Sequence, residues 1–389
     1  MVDGGMRENP VNFEVVKKFV REAVGEDLHA KRALSLSNAT LGAMHAAALG
    51  VTTIGNALAQ VRSLDPKAAV KQVDRLLSNS GVRPWELFGS WVPMVVGERW
   101  KVVVALDWTD FDDDDHTTIC LHLLTKHGRA TPLVWMTVQK SALKGNRADS
   151  EDLVLQRLRD ALPPTVTKVT VLADRGFGDV KLYEMLKLWK WDFAIRFRGC
   201  IYVTSAEGEK RTAEQWLHPQ GRALRLKDAR VTAEECLLPA IVIVKQKDMK
   251  DAWYLATSMS DVSATEVIKL YGRRFTIEEG FRDTKDWRFG MGLVHVRIRD
   301  CDRRDRILLV GAMAIVLLTL LGAAAEATGL DKTLKVNTVK RRTHSLFKQG
   351  VYFYGALPYM KEEKFQLLFG KFAELLYGLQ FIRDVYGLV

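Results

Sequence analysis

The sequence predicts an α/β protein: a mixed sheet with helices, interrupted by a β-rich insertion and preceded by an all-helical N-terminal region. Three observations predict it. Apolar residues recur at helical spacing from about residue 9 to 97. Two apolar, β-branched runs then appear, each ending in an aspartate, with an amphipathic helical stretch between them. Finally, residues 199–262 carry short strand-like runs and polar turns without a strong helix.

The N-terminal part reads as helices in series. Val15, Val16, Phe19, Val20 and Ala23 mark one apolar face. Ser37 or Asn38 is a candidate cap for a helix running to Ala48, and Gly50 breaks it. The stretch AAALGVTTIGNALAQV (46–61) has the apolar spacing and glycine turn of a helix-turn-helix, or of any short helical hairpin. Pro66 opens another helix, which would carry Lys67, Lys71, Arg75 and Asn79 on one face, either solvated or facing phosphates.

Strands begin at Trp100. WKVVVALDW, TTICLHLLT and TPLVWMTVQ predict an antiparallel meander. SEDLVLQRLRDAL predicts a helix with Ser150 near its start. VTKVTVLADRGFG is a buried strand ending in Asp174, followed by a helix (DVKLYEMLKLWKW) and a strand (DFAIRFR). After the insertion, Ser263 with Glu266 forms a capping-box pattern that opens a helix. The uncharged run 307–325 is long enough to span a bilayer, but its charged surroundings favour a buried core helix. A basic stretch, 332–348, leads to a last amphipathic helix at about 361–384. Three strands, a helix, a strand, a helix, a strand and a delayed final helix is the order of a ribonuclease-H-like domain. The predicted domains are therefore 1–98 (helical, DNA-end-binding), 99–198 plus 263–330 (catalytic), 199–262 (β insertion) and 331–389 (basic, helical tail).

Composition narrows the partners. The chain has 389 residues and a formal net charge of +10, so nucleic acid is the default polyanionic partner. The charge is segregated: 107–115 holds six acids and no base, and 332–348 six bases and no acid. Cys120, Cys200, Cys236 and Cys301 are too scattered for a zinc ribbon or a disulfide scaffold, and with no secretory signal in view a cytoplasmic setting is expected. No Walker loop, dinucleotide fingerprint or GxSxG elbow occurs. The run Asp112, Asp113, Asp114, Asp115 reads as a solvated turn, since adjacent like charges avoid burial.

Phosphodiester chemistry with two divalent ions needs about three convergent carboxylates. Asp107 and Asp174 qualify as ends of buried strands, where open α/β sheets place their sites. The third should come from the helix after Ser263. At about 100° per residue from Tyr271, Arg274 falls at about 300°, Glu278 at about 340° and Lys285 at about 320°, whereas Glu279 lies at about 80°. Glu278 therefore shares an arc with Tyr271, Arg274 and Lys285.

Those four residues match Tyr-x2-Arg-x3-Glu-x6-Lys, and the chain thereby resembles bacterial insertion-sequence transposases of family four. Asp107 (ALDWT) and Asp174 (VLADRGF) look like the two aspartates of that family's DDE triad. The resemblance covers roughly 100–330, and the helix with Arg75 and Asn79 is similar to the family's end-binding region. It implies a cut-and-paste DNA transposase that binds terminal inverted repeats, then cleaves and transfers DNA strands. Asp107, Asp174 and Glu278 would ligate two Mg2+ ions, with Mn2+ as a substitute. Tyr271, Arg274 and Lys285 would hold phosphates beside the scissile bond. A hairpin with a flipped base would need a stacking tryptophan, and Trp135, Trp216 and Trp253 are the candidates. Lys340, Arg341 and Arg342 are a plausible track for the DNA backbone. Double-stranded DNA is the implied partner, a homodimer the expected assembly, and no membrane is involved. The rivals are a ribonuclease-H-like nuclease without strand transfer, a catalytically silent DNA-binding regulator, and a single-span membrane protein.

Overall fold

The computed structural model describes residues 9–377. The part of the predicted last helix beyond 377 lies outside them, as do the first eight residues of the predicted N-terminal domain.

Five helices come first: α1 (Phe13–Val24), α2 (Ala30–Ala46), α3 (Val51–Arg62), α4 (Pro66–Leu77) and α5 (Pro84–Val96). Pro66 and Pro84 each open a helix, where the missing N–H would be unsatisfied anyway. The α2 helix ends on Ala47 in the left-handed region (φ 47°), and α3 leaves at 94° to it. That is helix-turn-helix geometry. The α4 helix stops at Leu77, so Asn79 is not on its face as the sequence suggested. Its side-chain oxygen instead accepts from the Gly81 N–H and fixes a turn.

The meander is β1 (Lys101–Phe111), β2 (His116–Leu124) and β3 (Ala130–Gln139). Then come α6 (Arg147–Ala161), β4 (Lys168–Ala173), α7 (Val180–Leu188) and β5 (Asp192–Arg196). Helix α6 begins one turn before its expected start, which leaves Ser150 buried inside it rather than capping it. Strands β1 and β2, and β2 and β3, pair antiparallel, whereas β1, β4 and β5 run parallel.

The insertion supplies β6 (Tyr202–Thr204), β7 (Lys210–Thr212), β8 (Leu224–Val231), β9 (Cys236–Val244) and β10 (Trp253–Thr257). They add to the free edge of β5, giving one ten-stranded sheet of order β3-β2-β1-β4-β5-β10-β9-β8-β6-β7. This is a mixed sheet with a ribonuclease-H-like centre. Pairing with β10 also gives the backbone groups on the outer edge of β5 their partners.

Helices α8 (Ala264–Gly272) and α9 (Thr276–Lys285) follow, then α10 (Cys301–Ala327), α11 (Leu346–Ala356) and α12 (Glu362–Tyr377). By length and composition α10 could cross a membrane, with a window of mean hydropathy 2.7, yet 83% of that window is buried inside the protein. It is sheathed by α2, α11, α12 and β3. Gly322 and Gly350 make the α10–α11 crossing possible. A Cβ on either would lie within 2 Å of a carbonyl oxygen of the other helix (1.9 Å from Leu346, 1.7 Å from Leu318). The N-terminal helices share this core. Trp91 of α5 donates to the Pro132 carbonyl at 3.0 Å, and Phe88 meets Trp135 edge-on at 4.6 Å.

Two sequence expectations are corrected in this region. The aspartate run is not wholly solvated: the Asp114 side chain is 8% exposed and paired with Arg304 at the start of α10, and Arg297 reaches it as well. A buried guanidinium offsets the desolvation that four adjacent acids would otherwise avoid. Trp135 is 2% exposed, with its indole N–H donating to the Asp305 carbonyl, so it offers no face to a base.

Candidate active site

The parallel register of β1 and β4 sets the first two carboxylates. Leu106 stands beside Ala173, so the next residues, Asp107 and Asp174, lie side by side where β4 ends, while β1 runs on past Asp107 to Phe111, still paired with β2. The Asp107 carboxylate accepts from the Trp108 N–H at 2.9 Å. Burial pushes its pKa up to about 6. Arg274 works against that shift, and the charges of Asp174 and Glu278 add to it.

The third carboxylate arrives from the far side of the insertion. The segment after Ser263 is not one helix. Residues Arg273–Phe275 form a 3-10 turn between α8 and α9, so the chain is wound more tightly there than an unbroken α-helix of about 100° per residue. Helix α9 settles closely on the sheet at Gly280, where a Cβ would lie 2.7 Å from the Ala130 carbonyl oxygen. Glu278, in the first turn of α9, faces Asp107. Glu279 faces away and pairs with Arg129 at 3.1 Å and Arg282 at 3.0 Å.

Arg274 joins the acids. Its side chain is 4% exposed; Nη1 donates to Asp107 Oδ2 at 3.0 Å and Nη2 to Glu278 Oε1 at 3.3 Å. Its Nε has no hydrogen-bond partner among the described residues. Tyr271 is buried on the same side and its hydroxyl donates to Asp174 Oδ1 at 3.4 Å. Burial holds the Tyr271 phenol well above its usual pKa. Lys285 is turned to the end of β1, where it donates to Thr109 Oγ1 at 3.0 Å and to the Asp110 carbonyl at 2.6 Å. Burial lowers its pKa. Of the four signature positions, Tyr271, Arg274 and Glu278 thus meet the aspartates, and Lys285 stands beside them on β1.

Three carboxylates are a hard, oxygen-only donor set that suits Mg2+ or Mn2+. Among the described residues no three acidic, His or Cys side chains stand close enough to share one ion. At this site the physical reason is Arg274, which lies between Asp107 and Glu278 and neutralises them.

One neighbour escaped the sequence reading. Arg196, the last residue of β5, has Nη1 4.0 Å from Asp174 Oδ1. The signal was available, because β5 runs parallel to β4 and must end beside Asp174. The other sequence candidates are dispersed. Trp253 lies against Tyr271 (5.0 Å) and Phe275 (5.9 Å), at the edge of the site. Trp216 is in the insertion, beneath Arg211 and bonded to the Val203 carbonyl. Arg75 is exposed on α4. Lys340 and Arg341 are exposed in the segment before α11, while Arg342 is committed to Glu326 and the His127 carbonyl.

A family model described as a transposase DDE domain matches residues 101–317, more than half of the chain. No curated protein matches it.

Proposed function

We infer the reaction from one premise: the chain belongs to the family of transposases with a DDE domain. The reading is a cut-and-paste transposase of a family-four insertion sequence that binds its own terminal inverted repeats, cleaves the DNA there and joins it to a target. Asp107, Asp174 and Glu278 are its catalytic carboxylates. The observation that carries this is their convergence, from two adjacent parallel strands and a helix about a hundred residues further on, around one buried arginine.

The three carboxylates would hold the divalent ions, which when bound supply Lewis-acid stabilisation of phosphoryl charge and an activated nucleophile. The rest is done by side chains. Arg274 exchanges its carboxylate partners for phosphate oxygens as DNA arrives, a contact its planar fork can make in bidentate fashion. Tyr271, held by Asp174 and by the Trp253 ring, offers a hydroxyl to the same phosphate. Asp107 is a carboxylate above a pH of about 6, so the site is ready at neutral pH. The partly buried Trp253 is the stacking surface for a flipped base. Arg75 on α4, with Lys340 and Arg341, contacts the phosphates of the terminal repeats. Two protomers act together on paired ends, in the cytoplasm and off the membrane.

The test is purified protein with Mg2+ or Mn2+ and duplex DNA made from the sequence bordering the gene. Wild type cuts at the repeat end and joins it to a second DNA. Asp107→Asn, Asp174→Asn and Glu278→Gln each lose the cut by more than about a hundredfold, above the usual cost of disturbing only the surroundings of a metal site. Full activity in all three sinks the assignment. Cutting with no joined product makes the protein a nuclease instead.

A further inference from the structure

A second basic feature lies next to the carboxylates, and the transposase signature does not include it. A groove of about 450 Å3 opens beside Asp174. One wall is Arg175, Arg196 and Arg198, from the ends of β4 and β5; the other is Lys245, Asp251 and Tyr254, from the insertion. Arg196 closes the end next to the site, bonded to the Ala252 carbonyl at 2.9 Å and standing 4.0 Å from Asp174. Arg175 and Arg198 are exposed, and neither guanidinium has a hydrogen-bond or ion-pair partner among the described residues. Lys245 has only a carbonyl, that of Lys250 at 3.2 Å. Two acids, Glu214 and Asp251, also line the groove, so bases outnumber them. Several other arginines near the sheet are committed: Arg129 to Glu279 and Asp283, Arg297 and Arg304 to Asp114, and Arg342 to Glu326.

Position says which polyanion fits. The N-terminal helices and the segment 332–348 gather about α10 and the β2–β3 side of the sheet. The groove lies beyond β5, on the opposite side of β1 and β4. DNA held by those helices and cut between Asp107 and Asp174 runs on, past the cut, towards β9 and β10. We propose that this groove binds the backbone of the flanking DNA, outside the element, with phosphates on Arg198 and Lys245. The β insertion then has a physical role: it lengthens the sheet so that it carries DNA on both sides of the cut. The proposal rests on the transposase reading above.

The probes are two fluorescein-labelled duplexes made from the DNA bordering the gene, one ending flush at the mapped cleavage point and one continuing into the flank. For Arg198→Ala/Lys245→Ala, affinity for the flanked duplex should fall about tenfold, and the slope of log K against log salt should lose about 2. The flush duplex should bind as to wild type, and Arg198→Lys/Lys245→Arg should behave as wild type on both. Equal loss on both duplexes, or on neither, overturns the proposal. So does a loss seen only when a flush-ended complex captures a second DNA, which would give the groove to the target. Wild-type protein that binds and cuts none of this DNA removes the transposase reading, and the groove with it; that result is read without any variant.

Discussion

Two buried arginines answer two acidic clusters on the same strand and its following turn, and they do opposite things. Arg304 is 0% exposed, pairs with Asp114, whose side chain is 8% exposed, donates from Nε to His116 Nδ1 at 3.0 Å, and lies 3.9 Å from the Phe111 ring. Asp114 also takes the Ile298 N–H at 3.0 Å. That cluster is closed to solvent and ties the β1–β2 turn to α10. Arg274 is buried nearly as well, but Glu278 is 56% exposed and Asp174 reaches solvent. Among the described residues each arginine keeps one nitrogen without a hydrogen-bond partner, Nη1 of Arg304 and Nε of Arg274. The difference lies in the acids. Removing Arg304 leaves the largely enclosed Asp114 with only the exposed Arg297 at 3.8 Å and the Ile298 N–H, whereas removing Arg274 leaves carboxylates that water or an ion can reach. The first arrangement is a clamp, and the second is a site with surplus negative charge facing outward.

The largest effect should separate them by stability. Arg304→Ala should cost about 3–5 kcal/mol, the usual result of breaking a buried pair from one side. Arg274→Ala should cost about 1 kcal/mol, in the range of a single hydrogen-bonded contact whose partners can rehydrate. Denaturant unfolding of both variants without added metal measures this. Equal losses would mean that the site is as closed as the clamp.

A second, smaller effect sharpens the contrast through pH. Burial raises Asp107 from 3.8 to about 6. A raised carboxyl pKa means the folded protein holds that proton more tightly than the unfolded chain. Asp107 therefore takes nothing from stability below 3.8, takes progressively more as pH climbs to about 6, and a constant amount above. Asp283, raised to about 6, and Asp305, raised to about 8, act in the same direction. A divalent ion must displace the Asp107 proton, so Mn2+ should raise the melting temperature at pH 8 and not at pH 5. At a hundredfold excess over its Kd the gain is about 2.7 kcal/mol. Asp107→Asn should abolish the response at both pH values while leaving the contributions of Asp283 and Asp305. A response that survives Asp107→Asn would place the ion elsewhere.

How much of this was legible follows from which interactions are local. The nearness of Asp107 to Asp174 could be read because each closes an apolar run on a neighbouring parallel strand; that β1 continues past Asp107 to Phe111 against β2 could not. Glu278 could be separated from Glu279 because helical rotation survives even the 3-10 turn at Arg273–Phe275. The clamp could not be read. Asp114 and Arg304 are far apart in sequence, and each sits in a charged stretch that looks solvated. The burial of Trp135 and the joining of the insertion to the β5 edge likewise depend on long-range packing. The α4 stripe kept Lys67, Lys71 and Arg75 and lost only Asn79, for a nearby reason: the helix stopped two residues before it.

The smallest effect concerns the aromatic neighbour of each arginine. Phe111 is buried beneath Arg304, with Lys285 4.6 Å from its ring, and serves packing alone. Trp253 touches Tyr271 and Phe275 but is only partly buried, so part of its ring remains for a base. Base–aromatic stacking is worth about 1–3 kcal/mol. Trp253→Ala should therefore weaken binding of a cut DNA end carrying an unpaired terminal base by about 5- to 150-fold. Binding of uncut duplex should change little, since its bases are still stacked on each other. Trp216→Ala, remote from the carboxylates, should leave both affinities alone. If Trp216 rather than Trp253 governs the unpaired end, the open cluster extends into the insertion, and the boundary drawn between site and scaffold has to move with it.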